Sequence, residues 1–110
     1  IEARINAEDP EQDFRPSPGR LTALELPSGD GVRVETHLRP GDSISPHYDS
    51  MVCKLVAWAE TRDEAIAKLD SALAATRIEG VQTTIGLHRR ILANAEFRSG
   101  DYDTTTLERI

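Results

Sequence analysis

The chain has 110 residues, 29% of them charged and 38% hydrophobic, with a formal net charge of −6 and a pI near 5.0. That length suits one small domain, which buries only about 60–70% of the surface its unfolded chain exposes. The acidic balance argues against nucleic acid or an anionic membrane surface as the main partner, and no apolar run approaches the roughly 18–20 residues of a membrane span.

The single cysteine, Cys53, has no partner for an internal disulfide. It reads as a small buried hydrophobe in a reducing compartment, which leads us to expect a cytoplasmic location, or the mitochondrial matrix in a eukaryote. The sequence opens on Ile1, without an initiator Met, directly into an alternating pattern. We therefore expect a segment upstream of it.

Ile1, Ala3, Ile5 and Ala7 alternate with Glu2, Arg4, Asn6 and Glu8, the period of a half-buried strand. From Asp9 to Gly19 three prolines remove backbone donors, so an irregular loop is expected, pinned by Phe14. Leu21 to Leu26 reads as a second strand and Val32 to Leu38 as a third. Gly29-Asp30-Gly31 between them predicts a hairpin. On the third strand Arg33, Glu35 and His37 share one face. Pro40-Gly41-Asp42 marks another turn. Met51 to Ala59 is apolar apart from Lys54 and predicts a strand buried on both faces, Trp58 included.

Thr61-Arg62-Asp63-Glu64 is a capping box. The helix after it carries Ile66, Leu69, Ala72, Leu73 and Thr76 on one stripe, and Gly80 is the expected terminator. Thr84 is positioned to cap a second helix with Leu87, Ile91, Leu92 and Ala95 inside, closed by Phe97 and Gly100. A short third helix is expected within residues 104–110. Strands first and helices second predict an α+β domain. Its antiparallel sheet comes mainly from the first half, and two to three helices from the second half pack on one side.

The search for chemistry is mostly negative. Gly29 and Gly31 sit in a turn rather than a phosphate loop. His37, His47 and His88 lack metal-ligand spacing, and the acidic run Glu8 to Asp13 lacks the features of a calcium loop. Two positions stand out. Arg33 lies mid-strand with Glu35 and His37, on either a solvent face or the wall of a polar cleft. Lys54 interrupts an apolar strand and must snorkel or find a carboxylate, because an unpaired buried charge is costly.

Several runs, taken in order, resemble the biotin carboxylase C-terminal domain: EARINAEDP from Glu2 to Pro10, PSPGR from Pro16 to Arg20, GVRVE from Gly31 to Glu35, and YDSM from Tyr48 to Met51 with Lys54. Arg62-Asp63, Gly80 to Thr83, Phe97 to Gly100 and the closing stretch from Thr104 to Leu107 continue the match over essentially the whole chain. The resemblance implies an ATP-grasp ligase in which MgATP and bicarbonate carboxylate biotin attached to a carrier protein. It places ATP, Mg²⁺ and their ligands on upstream domains, with no nucleotide or metal residues in this segment. It implies as partners those upstream ATP-grasp domains, a biotin carboxyl carrier protein, a carboxyltransferase and a second copy of the enzyme in a homodimer.

The resemblance also implies one catalytic and biotin-binding residue, Arg33, whose guanidinium would face the biotin ureido oxygen and stabilise the charge that gathers there when N1 is deprotonated. A donor of this kind is worth about 3–4 kcal/mol of barrier. Glu35 is expected to orient Arg33 or a neighbouring basic group, and Asp49 and Lys54 to support the sheet, with Asp49 or Glu2 pairing Lys54. Thr83-Thr84 departs from the family's Thr-Asn, a change between two capping residues. The form of Pro16 to Gly19 tilts the reading towards an acyl-CoA carboxylase over a pyruvate carboxylase. A mainly structural and dimerising segment, and an independent acidic binding module, are the competing readings.

Overall fold

The computed structural model describes residues 1–110. Strands β1 (Glu2–Asn6), β6 (Val32–Glu35) and β8 (Met51–Ala57) form an antiparallel sheet in the order β1-β8-β6. Three two-stranded ribbons surround it: β2 (Glu8–Asp9) with β3 (Arg15–Pro16), β4 (Gly19–Arg20) with β7 (Ser43–Ile44), and β5 (Ala23–Glu25) with β9 (Arg77–Glu79). Helices α1 (Arg62–Ala75), α2 (Ile85–Ala93) and α3 (Ala95–Ser99) follow, and short 3₁₀ turns occupy Pro10–Gln12 and Thr106–Arg109. The α+β class and the layering of helices against an antiparallel sheet agree with the sequence. The body is 18 Å thick along its shortest axis, about the depth of one sheet and one helix layer.

Alternation decides which face of the sheet is covered. Ala3 and Ile5 of β1, and Cys53, Leu55 and Ala57 of β8, point inward, and all are at most 3% exposed. Val32 and Val34 of β6 pair with Ala57 and Leu55 on the same side. Helix α1 packs here through Ile66, Leu69 and Leu73. Each such side chain contributes about 1.5–3 kcal/mol of burial. The central strand is the most apolar of the three, as expected for one with a neighbour on either edge.

Thr61 caps α1, its Oγ1 accepting the Glu64 amide at 3.2 Å. The reciprocal bond from the Glu64 side chain does not form, so half of the capping box is realised.

Several expectations are corrected. Leu21 to Leu26 and Val32 to Leu38 do not make a hairpin. The glycine turn is present, with the Val32 amide donating to the Gly29 carbonyl at 3.1 Å, but it joins strands of two different sheets. β5 pairs with β9, Leu24 opposite Ile78, while β6 completes the sheet beside β8. The turn is a local matter; the pairing partner is chosen by apolar surface far away in sequence.

Gly80 does not end α1. Thr76 does, and the chain then runs as β9. Gly80 has φ +104°, and a Cβ there would stand 2.0 Å from the Arg20 carbonyl oxygen, so the residue is needed for a close backbone crossing. The loop from Asp9 to Gly19 is not wholly irregular, and Phe14 does not anchor it: the ring is 40% exposed. Trp58 is 67% exposed, just beyond the end of β8. The second helix breaks at Asn94, whose side chain accepts the Phe97 amide and starts α3. Ala95 is therefore exposed rather than internal.

Candidate functional site

The uncovered face of the β1-β8-β6 sheet is polar. Cross-strand register sets two rows on it: Arg4, Lys54 and Glu35 in one, Glu2, Val56 and Arg33 in the other. Arg33 Nε lies 3.3 Å from Glu35 Oε1, with side chains 70% and 50% exposed. Arg4 Nε lies 3.0 Å from Glu2 Oε1, with side chains 65% and 43% exposed. At such exposure water screens both pairs and they add little to stability. Arg4 is hydrogen-bonded to Glu2 through one nitrogen and Arg33 meets Glu35 only as an ion pair, leaving the remaining donors of each fork free.

Glu35 makes an exposed ion pair with Arg33. A cleft of about 230 Å³ lies beside this strand, lined by Glu35, His37, Met51 and Lys54 among others. Arg33 lies outside it, on the solvent side of an edge strand. The expected partners of Lys54 are corrected. Glu2 is committed to Arg4. Asp49 Oδ1 instead accepts the Met51 amide at 3.0 Å, fixing the start of β8. An Asx-type bond two residues on is the short carboxylate's easiest local contact, and it draws Asp49 away from the sheet face.

Sequence reasoning passes over Arg4 as a site residue. Its backbone is held from two sides. It pairs with Lys54 in the ladder, and its carbonyl accepts from His88 Nε2 at 2.7 Å and Thr84 Oγ1 at 3.4 Å. The Asn6 amide in turn donates to Thr84 Oγ1 at 3.0 Å. Thr84, only 4% exposed, thus spends its hydroxyl on β1 and makes no side-chain cap on α2. Since a carbonyl only accepts, His88 carries a proton on Nε2. Burial pushes its pKa below the ordinary value of 6.5, with the Arg4 carbonyl pulling the other way. The alternation of β1 already places Arg4 on the polar face beside Glu2. Nothing in the sequence points to His88.

The largest cleft, about 550 Å³, lies on the helical side between α1 and α2. Two of its arginines are committed: Arg89 to Asp70 at 2.9 Å and Arg90 to Glu11 at 3.3 Å. Cys53, buried with its thiol pushed up to about 11 by desolvation, faces the core and is no nucleophile.

Residues 2–109 match the model of the biotin carboxylase C-terminal domain. The chain belongs to that family. It is 48% identical over 108 residues to biotin carboxylase 1 of Bacillus subtilis, covering 98% of this chain and 24% of that protein. It is 44% identical over 108 residues to the biotin carboxylase of a Nostoc species, again covering 98% and 24%. Among solved structures, the biotin carboxylase domain of a thermophilic 2-oxoglutarate carboxylase bound to bicarbonate superposes with a TM-score of 0.96 at 42% identity, covering 98% of this chain and 24% of that one. The chain thus spans about a quarter of the length of the relatives it matches. As a biotin carboxylase C-terminal domain it carries guanidinium donors without a partner on both surfaces: those of Arg33 and Arg4 on the polar face of the sheet, and those of Arg98 in the cleft on the helical side.

Proposed function

We propose that this domain completes the active site of an ATP- and bicarbonate-dependent biotin carboxylase by presenting Arg33 to carrier-bound biotin. ATP and Mg²⁺ are held by ATP-grasp domains outside this segment, and the partners are the biotin carboxyl carrier protein, a carboxyltransferase and a second copy of the enzyme. An acyl-CoA carboxylase, in the cytoplasm or a mitochondrial matrix, is the context we favour, on the form of Pro16 to Gly19.

The observation that carries this reading is the Arg33–Glu35 pair on the outer face of the sheet. The carboxylate lies 3.3 Å from one guanidinium nitrogen, and the rest of the fork stays free. Biotin supplies the nitrogen that takes up the carboxyl group. A fixed guanidinium opposite its ureido oxygen stabilises negative charge there without reorganising. Arg33 is also the residue the family resemblance nominates, and its place on an edge strand leaves it reachable by a group carried on another protein.

Arg4 is the second candidate on the same face. Its fork is hydrogen-bonded to Glu2 through one nitrogen, and its backbone is the firmer of the two, with ladder bonds on one side and Thr84 with His88 on the other. Rigid support is what a preorganised charge requires.

Parallel replacement in the full-length enzyme separates the two. Arg33→Ala is expected to lower biotin carboxylation by about 10²–10³-fold with ATP affinity and melting temperature retained, and Arg4→Ala to do far less. The reverse ranking transfers the role to Arg4. Full activity in both variants leaves only a structural or dimerising role for the domain.

A further inference from the structure

The cleft of about 550 Å³ between α1 and α2 has an apolar floor and a cationic rim. Ile66 and Leu92 form the floor, 2% and 4% exposed. Short side chains keep the walls low, Ala67 on α1 and Ala93 on α2. Arg89 is paired with Asp70 and Arg90 with Glu11, each guanidinium still about half exposed. Arg98 of α3 enters the same cleft with a guanidinium that no carboxylate engages. Three guanidiniums against the one carboxylate of Asp70 leave the lining at +2, on a chain whose net charge is −6.

Positive charge gathered in a groove of an acidic molecule is complementary to an anionic partner. The shape of the groove selects the kind of partner. A small-molecule site encloses most of its ligand and orients it with polar groups set inside. Here the floor is apolar and the guanidiniums stand at the exposed edge. That arrangement suits a chain laid along the groove, an apolar side chain down and carboxylates at the rim. We propose that the α1–α2 cleft docks an acidic peptide segment of a partner protein. One apolar side chain of that segment rests on Ile66 and Leu92. Its carboxylates meet Arg98, whose planar fork offers paired donors, and the unused nitrogens of Arg89 and Arg90. Asp70 and Glu11 already restrain those two side chains, which reduces the ordering cost of binding. The cleft belongs to the helix layer and not to the open face that carries Arg33, so the inference does not rest on the biotin role.

The test uses the full-length enzyme and a fluorescein-labelled peptide alternating glutamate and leucine, with binding read by fluorescence polarisation. Saturable binding is expected, lost when glutamine replaces glutamate in the peptide and weakened by salt. Arg98→Glu should raise the Kd by about tenfold or more. Ala67→Leu, which fills the groove, should do the same. Arg39→Glu, at an exposed arginine outside the cleft, should bind as the parent does. No saturable binding by the parent overturns the proposal, as does parental affinity in Arg98→Glu or Ala67→Leu. An equal loss in Arg39→Glu overturns it too, since general charge attraction then explains the binding. Sedimentation of each variant is the companion measurement. If Arg98→Glu sediments as a smaller species, the cleft is a contact between copies of the enzyme and the proposal is overturned. If Arg98→Glu melts below the parent, Arg98→Gln is read by the same criteria. Arg33→Ala with full carboxylation removes the biotin role and leaves this docking site standing, and parental peptide binding in the cleft variants does the reverse.

Discussion

The two faces of the β1-β8-β6 sheet are built from the same strands and differ in almost every physical respect. On one, Ala3, Ile5, Cys53, Leu55 and Ala57 are sealed against α1. On the other, Glu2, Arg4, Arg33 and Glu35 stand in water as loose pairs around an unpartnered Lys54. Alternation forces this division, since each residue on a strand takes the face opposite its neighbour. The difference teaches where stability and chemistry reside. Replacements on the covered face should be felt in folding, and replacements on the open face in turnover.

The most direct way to break that division is to mutate neighbours on one strand. Leu55→Ala removes a side chain with no exposure and should cost about 2–5 kcal/mol, read from the urea midpoint. Val56→Ala, one residue on and facing outward, should cost less than about 1.5 kcal/mol. Equal losses at the two positions would mean that the open face is also packed, and the assignment of roles would collapse.

A smaller effect tests the seam between β1 and α2. His88 is held with its pKa depressed, chiefly by burial. Well above 6.5 it is neutral in both folded and unfolded chains, so stability is at its full value. As pH falls below 6.5 the unfolded chain takes up a proton that the folded chain resists, and stability declines until pH reaches the depressed folded value. A melting temperature that falls between about pH 7 and pH 5.5, with a shallower fall in His88→Gln, is the expected outcome. An identical slope in the variant would show that other groups carry the pH dependence.

Much of this is legible in the sequence, for local reasons. The strict alternation of β1, the apolar run of β8 and the Thr61 cap each depend on residues within a few positions of one another, and each appears where expected. What fails is pairing at a distance. Gly29 to Gly31 does form a turn, but nothing near Leu24 says that its partner is Ile78. Gly80 reads as a helix stop because its true constraint, the Arg20 carbonyl, lies sixty residues away in sequence. The site shows the same split. The polar faces of the strands carrying Arg4 and Arg33 can be read from alternation. That Arg4 is braced by Thr84 and His88 cannot, because residues at the start of a distant helix reach it only through the fold.

The central claim is that the open face of this sheet, and Arg33 upon it, faces the group being carboxylated. A crystal structure of the full-length enzyme with biotin bound tests it most directly. The account predicts the biotin ureido oxygen about 2.7–3.1 Å from the Arg33 guanidinium, over the side of the sheet turned away from α1. Biotin bound elsewhere, with that face open to solvent or buried against a second copy of the enzyme, would contradict it.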